Sequence, residues 1–145
     1  MDLFQSLKLD HQKVKRLFER LADAANVKER ERLFAELKQE LQLHSDIEEQ
    51  HFYPALEANE EARDLVDEAF EEHDEFRRLL DELDQGAKED DAWLDELEEL
   101  REDVEVHVEE EETELFPLAQ KLLGGTRADE IAAAIQNAKT GQKTQ

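Results

Sequence analysis

Residues 107–119, HVEEEETELFPLA, contain the pattern that decides both the fold and the candidate site of this chain. The stretch begins with His107, places five acids among the next seven residues, and then meets Pro117 inside an apolar run. Residues 44–56, HSDIEEQHFYPAL, repeat its main features: histidine first, glutamate fifth and sixth, and proline eleventh. The two stretches raise the question of which acids belong with the histidine and which form a solvated surface.

The repeat extends beyond these two stretches. Residues 10–23, DHQKVKRLFERLAD, resemble residues 72–85, EHDEFRRLLDELDQ, in their order of acid, histidine, charges and apolar residues. Offsets of 62 and 63 residues pair four chemically unusual positions: His11 with His73, His44 with His107, Glu48 with Glu111, and Pro54 with Pro117. Four such coincidences at nearly one offset are improbable, so we interpret the chain as two related halves.

Composition indicates a single helical domain. The chain has 145 residues, enough to bury a core, and helix-forming Leu, Glu, Ala, Lys and Arg are abundant. The net charge of −23 argues against nucleic-acid partners and anionic membrane surfaces, because both would repel the protein. The absence of cysteine excludes disulfides, thiol catalysis, iron–sulfur clusters and cysteine-based zinc sites.

The sequence shows no sign of a membrane or secretory segment. No stretch reaches the roughly eighteen apolar residues of a membrane span. Residues 1–12, MDLFQSLKLDHQ, lack the basic start and apolar run of a secretory signal. We therefore expect a soluble, cytoplasmic protein with no membrane partner.

Four breaks divide the chain into four long segments and a tail. They fall at residues 24–26, 57–61, 84–91 and 123–126. Each long segment places apolar residues at helical spacing and none alternates like a strand, so we expect an all-α fold. Short connections predict an up-down-up-down antiparallel four-helix bundle over residues 1–125, with kinks near Pro54 and Pro117. Thr126 is a good N-cap, so residues 126–145 are expected to form a short C-terminal helix with a frayed end.

The predicted core stripes include four histidines. The stripes contain, segment by segment, Leu3, Leu7, Val14, Phe18 and Leu21; Leu33, Leu37, Leu41 and Ala55; Val66, Phe70, Phe76, Leu80 and Leu83; and Leu97, Leu100, Val104, Leu115, Leu118 and Leu122. One histidine continues each stripe: His11, His44, His73 and His107. Glu48 and Glu111 follow their histidines by four residues and so share the inward face. At about 1.5 Å per residue the histidines differ in height by roughly one turn, so we expect all six side chains to meet in the middle of the bundle.

A pair of metal ions explains why imidazoles and carboxylates would meet in a core. A buried glutamate without a cationic partner is strongly destabilising or shifts its pKa, and no core lysine or arginine is evident in the stripes. Neutral imidazoles and carboxylates are metal ligands, and two carboxylates can each bridge two ions. Nitrogen and oxygen ligands with two-fold symmetry suit two redox-active ions in a helix bundle. Iron is the first choice, and manganese, zinc or a mixed pair remain open.

Six residues carry a resemblance to a known family: His11, His44, Glu48, His73, His107 and Glu111. On four helices, with FYP or LFP following, this pattern closely resembles the hemerythrin-like, or HHE cation-binding, domain over roughly residues 3–123. The resemblance implies a non-haem di-iron centre that binds oxygen and, in some members, nitric oxide or peroxide. It also implies that the four histidines are terminal ligands, and that the two glutamates bridge the irons together with an oxo or hydroxo group.

The sequence departs from the oxygen-carrying members of that family at two places. Those members have a fifth histidine one turn after the His73 position, where this chain has Arg77. Their last carboxylate is an aspartate five residues after the fourth histidine, whereas here Glu111 stands at the fourth place and Glu112 at the fifth. The resemblance therefore implies a variant with four histidines and two glutamates. An open position on one iron favours reaction with small oxidants over reversible carriage.

Three further residues near the pattern have open roles. His51 follows Glu48 at the Glu-x-x-His spacing of ferritin-like dimetal sites, but the second half has Glu114 at that place. We expect His51 to be a partly exposed neighbour of the site, with a fifth-ligand role as the alternative. Tyr53 and Trp93 are expected to have packing roles, with redox or quenching roles as the alternative.

The sequence leaves four functions open. The first is a di-iron protein that binds oxygen, nitric oxide or peroxide for sensing, storage or delivery. The second is an enzyme, such as a peroxidase or a nitric-oxide oxidase. The third is a metal-handling protein, and the fourth is a metal-free helical interaction module. The first is our leading interpretation, because the six-residue pattern indicates a metal pair.

Overall fold

The computed structural model describes the backbone of residues 2–143 and the side chains of residues 2–141. Within that range the chain is helical and contains no strand, so the expected all-α fold is confirmed. In chain order the elements are α1 (Leu3–Ala22), α2 (Val27–Ile47), a π-helical turn (Glu48–Phe52), α3 (Pro54–Glu57), α4 (Glu60–Gln85), α5 (Asp91–Glu110), a second π-helical turn (Glu111–Leu115) and α6 (Phe116–Lys143). None of these described helices is both long and apolar enough to cross a membrane.

Polar side chains cap the first turns of three helices. The side chains of Asp2, Asn26 and Asn59 each accept a hydrogen bond from a backbone N–H in the first turn of the following helix. These caps satisfy donors that have no partner within the helix. The connections are correspondingly short, so that α1 packs against α2 and α4 packs against α5.

The apolar core consists of two clusters with a polar level between them. The Trp93 cluster includes Phe18, Phe34, Leu80 and Trp93. The Phe116 cluster includes Leu3, Ile47, Val66 and Phe116. Helix α1 runs from the Phe116 cluster to the Trp93 cluster and α2 returns. Helix α4 repeats the course of α1, and α5 leads from the Trp93 cluster to the π-helical turn that carries Leu115 of the Phe116 cluster. Each of these helices carries one buried histidine at the polar level between the two clusters.

Each proline of the repeat follows a π-helical turn, which the sequence analysis did not predict. The amide of Tyr53 donates to Glu48 O at 2.8 Å, and the amide of Phe116 donates to Glu111 O. Both bonds span five residues instead of four. Proline has no N–H, and its ring would clash with the carbonyl four residues earlier in a regular helix. The wider turn accommodates the ring, so the kink expected at each proline takes the form of a π-helical turn.

The predicted core stripe is wrong in register after each π-helical turn. Ala55, Leu118 and Leu122 are only half-buried, whereas the neighbouring Leu56 and Ala119 are fully buried. The extra residue in the wide turn rotates the following helix face, and a constant period of 3.6 residues does not include that rotation.

Helix α6 contains a bend at the predicted start of the C-terminal segment. Gly124 has φ 71° and ψ 171°, a conformation that is essentially restricted to glycine. Beyond it, Ile131 and Ile135 are buried in the Phe116 cluster, so the C-terminal segment packs onto the same core as the other helices. The predicted frayed end falls in part on residues 144–145, which lie outside the described residues.

Candidate metal centre

Four histidines and two glutamates meet at the level between the two apolar clusters. All six are buried: His11, His44, Glu48, His73, His107 and Glu111. One carboxylate lies between two imidazoles, with Glu48 Oε1 at 3.2 Å from Nε2 of both His44 and His73. The Glu111 carboxylate also lies between two imidazoles, with Oε1 at 3.1 Å from His11 Nε2 and Oε2 at 3.3 Å from His107 Nε2. The structure therefore brings together the six residues of the sequence pattern, and their role as metal ligands stays a prediction.

Two groups of four donors overlap in this centre. One group is His11, His44, Glu48 and Glu111, and the other is Glu48, His73, His107 and Glu111. Within each group the donor atoms lie within 4.8 Å of one another. Both groups contain the same two carboxylates, so the two donor sets overlap at Glu48 and Glu111.

Three buried atoms of the centre form no hydrogen bond of suitable geometry with the described residues: His44 Nε2, His107 Nε2 and Glu48 Oε2. The two ring nitrogens lie 3.2 Å and 3.3 Å from carboxylate oxygens, but at angles that do not suit a hydrogen bond. Buried polar atoms are nearly always hydrogen-bonded, so unpaired atoms grouped at one level require an explanation. A bound cation would satisfy them, since imidazole nitrogens and carboxylate oxygens are ligands for iron, manganese and zinc. The residues present therefore fit a metal centre.

An outer layer of four carboxylates holds the other nitrogen of each histidine. The Nδ1 contacts are His11 with Glu112 at 2.6 Å, His44 with Asp10 at 3.1 Å, His73 with Glu49 at 2.8 Å, and His107 with Glu72 at 2.7 Å. The repeat relates these carboxylates as well, because Asp10 corresponds to Glu72 and Glu49 to Glu112. A carboxylate on Nδ1 fixes the ring and leaves Nε2 facing the centre, as in known metal-bound histidines.

Helical spacing did not predict this outer layer, although the repeat carries a signal for it. An acid precedes the first histidine of each half, and a second glutamate follows each core glutamate. These acids lie on the helix face next to the inward face, so helical periodicity alone assigns them to the solvent.

The carboxylates also decide the charge of the histidines. Burial opposes the charged form of His44, but Glu48 and Asp10 outweigh it and raise the pKa of His44 to about 10. Burial likewise opposes the charge of Asp10, but His44 and Lys139 lower its pKa to about 2. An imidazole must be unprotonated to bind a metal, so any metal that binds here would have to displace protons from the imidazoles.

Tyr53 lies at this centre, and its role was missed in the sequence analysis. Its ring packs as expected, with its centroid 5.4 Å from that of the half-buried Phe70. Its hydroxyl, however, donates to Glu111 Oε2 at 2.5 Å and lies 3.1 Å from Glu48 Oε1 and 3.3 Å from His73 Nε2. Burial and the two carboxylates raise the pKa of the Tyr53 hydroxyl well above its usual value. The hydroxyl therefore stays protonated and donates its one hydrogen to Glu111 Oε2, with Glu48 Oε1 close by.

The other residues singled out in the sequence lie outside the centre. His51 is half-buried and belongs to neither of the two buried donor groups. Arg77 pairs with Glu49 at 3.0 Å, so it contacts the outer carboxylate layer and not the centre itself. Trp93 is 3% exposed and packs in the core, as expected.

A small cavity lies against the four histidines. Its volume is about 10 Å³, and its apolar walls include Val14, Phe76 and Val104. Such a volume holds about one molecule of the size of water. The centre therefore has room for a ligand of very few atoms.

Comparisons with known proteins agree with this geometry. The sequence model of the family described as Hemerythrin HHE cation binding domain matches residues 2–119. Among solved structures, the fold is similar to that of a hemerythrin HHE cation binding domain-containing protein from Mycobacterium kansasii, with a TM-score of 0.81 and 27% sequence identity. That similarity covers 97% of this chain and 89% of the other. No curated protein matches the sequence. Because the family match spans most of the chain, the chain belongs to the hemerythrin HHE cation-binding domain family.

Proposed function

We propose that the protein holds two iron ions in this centre and binds a small ligand there, such as oxygen, nitric oxide or peroxide. The observation that carries the proposal is the shared pair of carboxylates. Glu48 and Glu111 belong to both donor groups, and each lies between two histidines. Membership of a family described as cation binding supports the metal, and the donor types support iron.

Each proposed ion has two imidazoles of its own and shares both carboxylates with the other ion. The assignments are His11 and His44 to one ion, His73 and His107 to the other, and Glu48 and Glu111 to both. When bound, a pair of irons exchanges electrons with small oxidants and offers them open coordination positions.

The surroundings of the centre support a small ligand. The four outer carboxylates fix the imidazole rings, so the donor atoms are oriented before any ion binds. The cavity against the histidines is about 10 Å³ and is walled by Val14, Phe76 and Val104, a size that matches a ligand of very few atoms. The Tyr53 hydroxyl supplies a hydrogen-bond donor beside the shared carboxylates.

An enzyme, such as a di-iron peroxidase or a nitric-oxide-reactive enzyme, is the second candidate. Arg77 occupies the place of the fifth histidine of the oxygen-carrying members, and its guanidinium pairs with Asp46 and Glu49. The proposed site therefore has four imidazoles for two ions, with the Tyr53 hydroxyl next to them. A site with an open position and a nearby hydrogen-bond donor suits the consumption of peroxide or oxygen better than reversible carriage.

A metal-handling function is favoured by a separate observation. Carboxylate oxygens of Glu68, Glu72 and Glu110 lie within 4.8 Å of one another, and these residues range from half-buried to exposed. Glu72 also contacts His107, so this acidic group adjoins the buried centre. A protein that delivers metal is expected to lose its ions to an acceptor, whereas a ligand-binding protein is expected to retain them.

Metal analysis combined with absorption spectroscopy tests the proposal. Protein from iron-supplemented cells should contain two irons per chain, absorb in the near-ultraviolet, and change its spectrum when azide or peroxide is added. Rapid peroxide turnover with a reductant would favour the enzyme, and a reversible change under oxygen would favour carriage. A colourless protein with less than one metal per chain would contradict the proposal and leave the metal-free interaction module.

We also propose that the four long helical segments form an up-down-up-down bundle of two related halves. The alternation of α1, α2, α4 and α5 between the two apolar clusters supports this topology, as does the repetition of the outer carboxylates. Residues 1–125 as the bundle, residues 126–145 as an added C-terminal segment, and a cytoplasmic location remain predictions from the sequence.

A further inference from the structure

The C-terminal part of α6 reaches the proposed metal centre through one ion pair. Lys139 Nζ lies 2.8 Å from both carboxylate oxygens of Asp10. Asp10 Oδ2 in turn accepts a hydrogen bond of 3.1 Å from His44 Nδ1. Lys139, Asp10 and His44 therefore form a continuous series of contacts that ends at an imidazole of the centre.

These contacts are sheltered from solvent. The side chains of Lys139 and Asp10 are 18% and 17% exposed, and that of His44 is 6% exposed. The pair of Lys13 and Glu40, by comparison, is 50% and 30% exposed. Charges that are largely removed from water interact more strongly than surface charges, so the Lys139–Asp10 pair holds its geometry better than a surface ion pair does.

The position of Lys139 depends on the docking of the helix that carries it. Ile131 and Ile135 precede it by eight and four residues, so the three side chains share one helix face. Both isoleucines are buried in the Phe116 cluster, and α6 packs against α1, which carries Asp10. The ion pair therefore depends on the C-terminal helix being docked.

The ion pair breaks the symmetry of the repeat. Asp10 corresponds to Glu72, and each of these carboxylates contacts one histidine of the centre. Among the described residues, no lysine or arginine forms an ion pair with Glu72. The outer carboxylates thus occur in both halves of the chain, whereas the lysine that pairs with Asp10 has no counterpart at Glu72 in the described part of the chain.

We propose that Lys139 is a positioning residue for the metal centre. It holds Asp10 in place and so orients His44, which couples metal affinity to the docking of the C-terminal helix. Lys139 lies beyond residues 2–119, the range that the family model matches. The proposal rests on the proposed metal site. Linkage then requires that metal binding favour docking by the same factor as docking favours metal binding.

Replacing Lys139 with methionine tests the effect of the ion pair on metal affinity. Lys139→Met keeps an unbranched side chain and removes the charge, whereas Lys139→Arg keeps the charge. With ferrous iron under anaerobic conditions and a competing chelator, we expect roughly five- to tenfold weaker iron binding by Lys139→Met and near wild-type binding by Lys139→Arg. Lys121→Met is the matched control, since it removes an exposed lysine from the same helix and should leave the affinity unchanged.

Amide hydrogen exchange tests the reverse effect, that of metal binding on the docking of the C-terminal helix. Ferrous iron should slow exchange in residues 126–141 of the wild-type chain, and this protection should be lost in Lys139→Met. Unchanged iron affinity in Lys139→Met, or exchange in residues 126–141 that does not respond to iron, would overturn the coupling even if the variant were less stable. A wild-type chain that takes up no iron would instead overturn the proposed function, so the two failures are distinguishable.

Discussion

Tyr53 donates a hydrogen bond of 2.5 Å to Glu111 Oε2, and the same hydroxyl lies 3.1 Å from Glu48 Oε1. One side chain therefore contacts both carboxylates that the two proposed ions would share. The hydroxyl reaches this position because the π-helical turn at residues 48–52 shifts the helix face just before Tyr53.

Removing this hydroxyl should weaken metal binding without unfolding the protein. Tyr53→Phe keeps the ring that packs against Phe70 but removes the hydroxyl that donates to Glu111 Oε2. We expect about tenfold lower iron affinity, by analogy with the loss of other groups that orient metal ligands, together with a changed near-ultraviolet spectrum. Chelator competition and absorption measure the two effects. Trp93→Phe, which removes a buried donor to Leu83 O far along the core, should lower the melting temperature and leave the iron-dependent absorption unchanged. A Tyr53→Phe spectrum and affinity equal to those of the wild type would count against the assignment.

Substitutions at neighbouring residues of α5 and the following turn should differ sharply in their effect on metal content. His107→Ala and Glu111→Ala remove buried donors of the centre and should each lose at least one metal per chain. Glu109→Ala and Glu110→Ala alter residues that are exposed or half-buried and should keep their metal. Elemental analysis of purified protein measures the difference. Equal metal loss in all four variants would disprove the inward-face assignment.

The outer carboxylates should contribute to metal affinity although they do not face the centre. Glu72→Gln weakens the acceptor of His107 Nδ1, so the ring is held less firmly and its basicity falls. Iron affinity should then drop about 10- to 100-fold. Glu68→Gln removes a neighbouring, exposed carboxylate of the same acidic group and should have a much smaller effect. Similar losses in both variants would indicate a general effect of surface charge.

Removing the metal should lower thermal stability. Without a cation, several buried donor atoms of the centre lack hydrogen-bond partners. A metal that binds only the folded chain stabilises it by about 4 kcal/mol when its free concentration is about 1,000 times the dissociation constant. The melting temperature of the loaded protein should therefore exceed that of the chelated protein, and Glu111→Ala should show a much smaller difference. Equal melting temperatures for loaded and chelated wild-type protein would refute a site that binds metal only in the folded state.

The bend in α6 should tolerate only glycine. Gly124→Ala forces a side chain into φ 71° and ψ 171°, which costs about 1–3 kcal/mol although nothing lies within 4 Å of the added carbon. Gly125→Ala is the matched control, because it meets no neighbour either and has no positive φ. Chemical denaturation should show a loss of stability for Gly124→Ala alone. A Gly124→Ala variant as stable as the wild type would show that the bend is not required.

Helical spacing explains how far the sequence could predict the fold. Residues four apart share a face, and this rule alone places His44 with Glu48 and His107 with Glu111. The repeat predicts the pairing of the halves, and the all-helical class follows from apolar periodicity.

The remaining features depend on rotations and contacts that no constant period describes. The π-helical turns change the register after Glu48 and Glu111, so the burial of Ala119 and the position of the Tyr53 hydroxyl could not be predicted from spacing. The contact of Lys139 with Asp10 joins residues far apart in sequence, and nothing local to either residue indicates it.

Anomalous diffraction at the iron absorption edge, from crystals of iron-loaded protein, tests the central claim most directly. We predict two anomalous peaks per chain, one beside His11 and His44 and the other beside His73 and His107, with Glu48 and Glu111 between them. A single peak, peaks elsewhere on the acidic surface, or no peak at this level would contradict the shared-carboxylate centre.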